Sequence, residues 1–371
     1  MKEKNNRKKL RSGYTTGTCA AIAAKAAVKM LLLQKEVTTE FVDTPKGVKV
    51  TVEICDIQLQ KNQVTCGVKK DAGDDPDVTN GIMIYATVTL TKEQEIQVDG
   101  GIGVGRVTKP GLSQNIGEAA INPVPKAMIA GEVSKVLEEY HCDKGAKVII
   151  SVPEGEEIAR KTFNPQLGIV GGISILGTSG IVEPMSQQAL IDTIQTELNV
   201  RKAEGVKHLI VTPGNYGEDF IREQLKVELR QAVKCSNFVG KTIDMAVDME
   251  FESILLVGHI GKFVKLAAGI MNTHSHEADG RMEVFTAHAA VAGAPVEVLR
   301  EIMECISTDQ AVKLLSESGY LTQTMDSIMK KVEFHITKRC GTEIPIGAIL
   351  FSNVHGILGK TKRADKILAM R

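Results

Sequence analysis

The sequence predicts an α+β first half joined to an α/β second half with a mainly parallel sheet, and three observations carry that reading. Residues 41–70 alternate at period two, with Val48, Val50, Val52 and Ile54 set against Lys49, Thr51 and Glu53, the pattern of half-buried antiparallel strands. After residue 205, short apolar runs open onto glycine turns that lead into helical segments, which is the βαβ signature. The length of 371 residues fits two domains, and 43% hydrophobic content supports a full core.

In chain order, residues 1–11 hold Lys2, Lys4, Arg7, Lys8, Lys9 and Arg11 and read as a disordered basic tail. A polar turn at 12–18 runs into the alanine-rich segment 20–30, a strong helix former. Segments 85–90 and 95–98 alternate like the strands before them. A helix follows Pro125, placed as an N1 proline, and runs to about Glu139. Segment 147–152 is a further strand, which makes the first half α+β. In the second half, 206–212 is a strand that opens onto Pro213-Gly-Asn-Tyr-Gly and a helix through Gln224. Segment 251–257 is another, followed by Gly258-His-Ile-Gly and a helix over 262–271. Residues beyond 290 are mostly helical, with a late strand near 346–351. The expected domains are 12–195 and 196–371.

Composition excludes several classes. Lys and Arg number 45 against 45 Asp and Glu, and there is no Trp with only 5 Tyr and 9 Phe, so neither a basic footprint nor a stacking platform for nucleic acid is present. No uninterrupted apolar run reaches membrane-spanning length, since Lys25 and Lys29 break the 20–33 stretch. The seven cysteines are scattered with no C-x-x-C pair, which points to a reducing compartment and a cytoplasmic protein.

Six segments carry chemistry. In Gly-Tyr-Thr-Thr-Gly-Thr-Cys at 13–19, the backbone N–H groups of Thr15, Thr16, Gly17 and Thr18 and the threonine hydroxyls suit an anion at a helix N-terminus, or else a plain N-cap. The acidic turn at 71–77 includes Asp74 and Asp75; its spacing lacks the EF-hand glutamate, so it reads as a turn or as a hydrogen-bonding partner of substrate. The loop at 100–111 has five glycines with Arg106 and Lys109, a cationic setting for carboxylates or a tight turn. Its glycine spacing is not the dinucleotide fingerprint. The glycine-rich stretch 168–180 marks close backbone approach by a ligand or a bent strand. The turns holding Pro213, Gly214, Asn215 and Gly217, and Gly258, His259 and Gly261, follow parallel strands at the edge where small ligands bind. Last, His259, His274, His276 and His288 crowd thirty residues without completing a zinc pattern, so no protein-bound metal is expected.

These segments, in this order, resemble the cobalt-precorrin-5B C1-methyltransferases of anaerobic cobalamin biosynthesis. The resemblance rests on 13–19, on Asp-Ala-Gly-Asp-Asp-Pro-Asp-Val-Thr at 71–79, on Gly-Ile-Gly-x-Gly-x-Val-Thr-Lys-Pro-Gly-Leu at 101–112 and on Gly-Glu-Ala-Ala-Ile-Asn-Pro-Val-Pro at 117–125. It continues through 164–178, Pro-Gly-Asn-Tyr-Gly at 213–217 and Asn-Thr-His-Ser-His at 272–276. It implies S-adenosylmethionine as methyl donor, a cobalt-containing tetrapyrrole as acceptor, and a first domain like ribosomal protein S5 domain 2 followed by a smaller α/β domain. Homo-oligomerisation or transient contact with neighbouring pathway enzymes is compatible with it.

Methyl transfer from a sulfonium needs orientation and exclusion of water more than a protein nucleophile. The expectation is that Thr15, Thr16, Gly17, Thr18, Asp74, Asp75, Arg106 and Lys109 hold the macrocycle. Pro213, Gly214, Asn215, Gly217, Gly258, His259 and Gly261 are expected to hold the donor. His259 and His274 are the candidates for accepting the proton that the methylated ring sheds. Two other classes remain open at this point: a small-molecule kinase with an anion-binding first domain, and a non-catalytic tetrapyrrole carrier. The absence of a P-loop argues against the first.

Overall fold

The computed structural model describes residues 10–214, 222, 232–341 and 344–370. The chain divides into two compact units, Met1–Gln187 and Gln188–Arg371, each mixed α/β with a mixed sheet. The second is of nearly equal length, not smaller, because the C-terminal helices join its core.

The first unit is organised by the helix Thr16–Leu33. Its alanines let neighbours approach on every side, so residues 16–24 and 26–28 are all buried. By length and composition this helix could cross a membrane, contrary to the reading that no run is long enough, yet 78% of it is buried inside the fold. An all-round apolar helix of this kind is the central element of a core. It contacts the helix Pro123–Glu139 and the strands Gln63–Lys69 and Met83–Thr91. The five-stranded sheet has the order Cys55–Leu59, Gln63–Lys69, Met83–Thr91, Gly145–Ser151, Ile96–Gly100. Its first four strands are antiparallel, as the alternation predicts. Ile96–Gly100 joins Gly145–Ser151 in parallel, since the connection between them crosses back through Pro123–Glu139. That helix starts at Pro123, two residues before the proline chosen from sequence, with Asn122 in the N-cap position.

Three short pairings close the unit. Gly13–Tyr14 pairs with Ile181–Val182, Gly103–Val104 with Gly172–Ile173, and Arg106–Val107 with Ile169–Val170. Leu10 and Arg11, which the sequence places in the tail, are among the described residues. The Arg11 guanidinium grips both Asp71 oxygens at 2.5 and 2.8 Å, and its backbone N–H meets Asp74 at 2.6 Å.

In the second unit the sheet order is Ala232–Lys234, His208–Thr212, Ser253–His259, Ile346–Ser352, Gly356–Lys360. The first four strands are parallel and the last is antiparallel. Leu209, Val211, Ile254, Leu256, Ala348 and Leu350 face the larger core, shared with the helices Gln187–Ala203, Arg281–Val291 and Leu321–Cys340. Ile194 and Leu198 of the first of these helices lie in that core, so the units divide ahead of the helix and not at 195/196. The helix expected over 262–271 begins earlier, at Ile260, continues as a 3-10 turn over Val264–Ala268 and ends at Gly269. Of the helix expected through Gln224 only Arg222, which is helical, lies among the described residues.

Candidate functional site

The Thr-Gly turn of the first unit is closed. Thr15 caps the Thr16–Leu33 helix, its hydroxyl accepting the Thr18 N–H at 3.2 Å. Thr18 donates its hydroxyl to the Gly180 carbonyl at 2.7 Å, and the Thr15 N–H reaches the same oxygen at 3.1 Å. Thr16 and Gly17 are tied to Leu176, whose N–H meets the Thr16 hydroxyl at 2.9 Å. All four residues are buried, and a methyl on Gly17 would press on the Pro125 ring. The Thr16 and Thr18 hydroxyls and the N–H groups of Thr15 and Gly17 are engaged by 174–180, and the Thr18 N–H by Thr15, so the turn works as an N-cap that anchors that segment and not as an open anion site.

The acidic turn is likewise held from within. Asp75 accepts the Met185 N–H at 2.8 Å, and Asp77 receives the Lys70 ammonium and the Thr79 hydroxyl. The hydrogen bond from Arg11 holds the Asp71 carboxyl below its ordinary value. Asp74 and Asp75 thus shape the loop. Arg106 is partly exposed and paired bidentately with Asp99 at 2.7 and 3.1 Å, and the Lys109 stem lies over Gly168.

The second unit places its turns where the topology favours a ligand. The chain leaves His208–Thr212 for Ala232–Lys234 on one side and then crosses to Ser253–His259 on the other. The carboxyl ends of His208–Thr212 and Ser253–His259 therefore flank a topological switch point, the crevice used by open α/β sheets. Pro213 and Gly214 stand at one lip, and Gly258, His259 and Gly261 at the other. Asn215 and Gly217 lie outside the described residues. Asp309 and Ser352 join this edge, with the Ser352 hydroxyl donating to Asp309 at 2.7 Å, and Thr308 stands near Gly261. Sequence reasoning missed all three, and no local pattern marks residues brought in from so far downstream.

His259 caps the Ile260–Phe263 helix through Nδ1, which accepts the Gly261 N–H at 3.1 Å. His274 does the same for the His276 N–H at 3.1 Å. In each neutral ring the proton then sits on Nε2 and the only lone pair is engaged. Taking up a ring proton at Nδ1 would cost either residue that contact. His274, His276 and His288 do not converge; His288 bonds Ser327 at 2.7 Å. The loop 272–279 is instead gathered around the buried Lys265, whose ammonium donates to the carbonyls of Thr273 and Ala278 at 3.2 and 2.8 Å. Among the described residues no three metal-ligating side chains cluster.

Burial pushes His259, His288 and His335 below their ordinary value of 6.5. The unfolded chain then binds more protons between the folded and unfolded values, so this stability is full above 6.5 and is lost as pH falls below it. Calorimetry should give a lower melting temperature at pH 5.5 than at pH 7.5; an unchanged value would refute the buried neutral histidines.

Comparison with known proteins gives the same direction. A family model described as CbiD matches residues 3–184, and one described as CbiD, C-terminal domain, matches residues 272–362. The cobalt-precorrin-5B C(1)-methyltransferase of Ruminiclostridium cellulolyticum is 50% identical over 94% of this chain and 91% of its own. The protein of the same name from Alkaliphilus metalliredigens is 46% identical over 97% and 95%. A crystal structure of the cobalamin biosynthesis protein CbiD from Archaeoglobus fulgidus is 32% identical, covers 73% of this chain and 84% of that one, and has a TM-score of 0.40. With half of the residues shared with a relative along nearly its whole length, this chain belongs to the CbiD family.

Proposed function

We propose that this chain transfers a methyl group from S-adenosylmethionine to C1 of cobalt-precorrin-5B, giving cobalt-precorrin-6A in anaerobic cobalamin biosynthesis. The observation that carries this is the near-full-length identity to relatives of that name, 50% and 46%. Cobalt belongs to the acceptor. The donor, when bound, supplies an electrophilic methyl.

The residues at the switch point of the second unit suit the donor. Pro213, Gly214 and Gly261 leave the main chain approachable, Gly258 packs against the Phe263 ring beneath them, and a side chain added at Gly261 would project toward His259 and Thr308. Their task is to bind and orient the donor, while the fold around them excludes water. The first unit, read as resembling ribosomal protein S5 domain 2, takes the tetrapyrrole, with Arg106 and Lys109 as the cations nearest its carboxylate arms in chemistry. Thr15, Thr16, Gly17, Thr18, Asp74 and Asp75 support that surface through the contacts above. The methylated ring sheds its proton to solvent or to His259 or His274, whose Nδ1 would then give up its backbone contact. Seven free thiols favour the reducing cytoplasm as the place of work.

Calorimetric titration with S-adenosylhomocysteine tests the donor site without a labile acceptor. One site per chain is expected, and Gly261→Val should weaken it at least tenfold. Absence of binding, both alone and with a corrinoid added, would overturn the reading, as would unchanged affinity for its placement at Gly261.

A further inference from the structure

The carboxyl edge of the parallel sheet carries a charge that the described residues do not compensate. Lys262 stands in the first turn after Ser253–His259 and is half-buried, with no hydrogen bond or ion pair among the described residues. The two buried lysines among those residues are treated differently. Lys70 meets Asp77 and Thr79, and Lys265 meets two carbonyls with Asp279 at 3.8 Å. A half-buried ammonium with no protein partner keeps its donors open to water or to a bound anion.

Its position says where the missing anion comes from. Ala232–Lys234, His208–Thr212 and Ser253–His259 lie side by side. Lys262 follows the third strand, and Cys235 follows the first, with its N–H on the Thr212 carbonyl at 2.9 Å. Burial lowers the Lys262 ammonium from its ordinary value and raises the Cys235 thiol to about 12, and each group feels the other's charge. One strand, His208–Thr212, lies between theirs, so groups that feel each other's charge from the two sides face the carboxyl end of that middle strand, which is the switch point itself.

We infer that Lys262 is the carboxylate receptor of the second unit, a positioning residue whose ammonium binds a carboxylate of the bound substrate. This rests on the methyltransferase reading above. That chemistry has two sources there: the amino-acid tail of the donor, or an acetate or propionate arm of the tetrapyrrole.

The test compares the full-length chain with Lys262→Met, which keeps the stem, and Lys262→Arg, which keeps the charge. The titrants are S-adenosylhomocysteine, 5′-methylthioadenosine, which lacks the amino-acid tail, and cobyrinic acid as a cobalt corrinoid with free carboxylates. Removing a desolvated charge leaves Lys262→Met at least as heat-stable as the parent. Its affinity for S-adenosylhomocysteine is expected to fall about ten- to hundredfold, with methylthioadenosine unaffected and Lys262→Arg partly restored. Weaker cobyrinic acid binding with unchanged S-adenosylhomocysteine binding would support the receptor and make the tetrapyrrole its source. Equal losses for S-adenosylhomocysteine and methylthioadenosine would show a packing role and overturn the inference, and so would unchanged binding of every ligand. A parent chain that binds neither ligand class would remove the methyltransferase reading and the inference with it.

Discussion

Gly103→Ala is expected to be the most damaging single-methyl change in the first unit, lowering stability by about 4 kcal/mol or more. Gly103 has φ 71°, a left-handed backbone that favours glycine, and an added methyl would overlap the Val152 carbonyl oxygen. Gly155 and Gly172 press on the Gly103 carbonyl in turn, so three main-chain segments touch without side chains between them. Backbone atoms held by the Gly103–Val104 and Gly172–Ile173 pairing cannot rotate away as a flexible side chain would. Thermal unfolding should show a melting temperature lower by roughly 10 °C or more. Gly131→Ala is the control: it lies inside the Pro123–Glu139 helix with nothing within 4 Å of the added methyl. It should gain about 0.5–1 kcal/mol. A Gly103→Ala chain that melts with its parent would refute the backbone-contact account.

The second large effect is expected at the polar seam along the buried helix. Lys25 interrupts the apolar run and reaches the Phe41 carbonyl at 2.8 Å, Glu132 at 3.0 Å and Glu40 at 3.8 Å. Glu132 also receives Lys135 at 2.6 Å. Glu132→Ala leaves the mostly buried Lys25 with one more distant carboxylate, a loss of about 3 kcal/mol on the scale of broken buried pairs. The pH dependence has a definite sign. Burial raises the Glu132 carboxyl, but the hydrogen bonds from Lys135 and Lys25 carry it net below its ordinary 4.5. Its contribution is therefore present above 4.5 and is lost as pH falls through the lower folded value. Melting curves of parent and Glu132→Ala should be well separated at pH 7 and converge in acid; a gap that widens in acid would refute the pairing.

The same two regions show what could be read without coordinates. The alternation over 41–70 and the run of alanines after Thr16 are local signals, since the period of a strand and the propensity of a helix depend on near neighbours alone. They located the strands and the central helix within a few residues. The N-cap at Thr15 was legible for the same reason. The glycine-rich stretches were recognised as places of close approach, but their partners were not. Gly103 meets Gly172 and Val152, and Thr16 meets Leu176, across 50 to 160 positions. The threonine turn that sequence reasoning offered to an anion is used by the fold to anchor the 174–180 segment.

The sequence by itself determined the α+β and parallel-sheet halves, the switch-point turns at Pro213 and Gly258, and the family, because ordered motifs and periodicities survive in one dimension. Tertiary structure alone decided which donors remain for a ligand. The threonines of 15–18, the aspartates of 74–75 and the rings of His259 and His274 are engaged by main-chain groups, most of them distant in sequence, whereas Lys262 is brought half-buried to the sheet edge without a partner among the described residues. The physical reason is that hydrogen-bond satisfaction and desolvation are sums over three-dimensional neighbours. A side chain's type says what it can bind, and its neighbours decide whether it is free to do so.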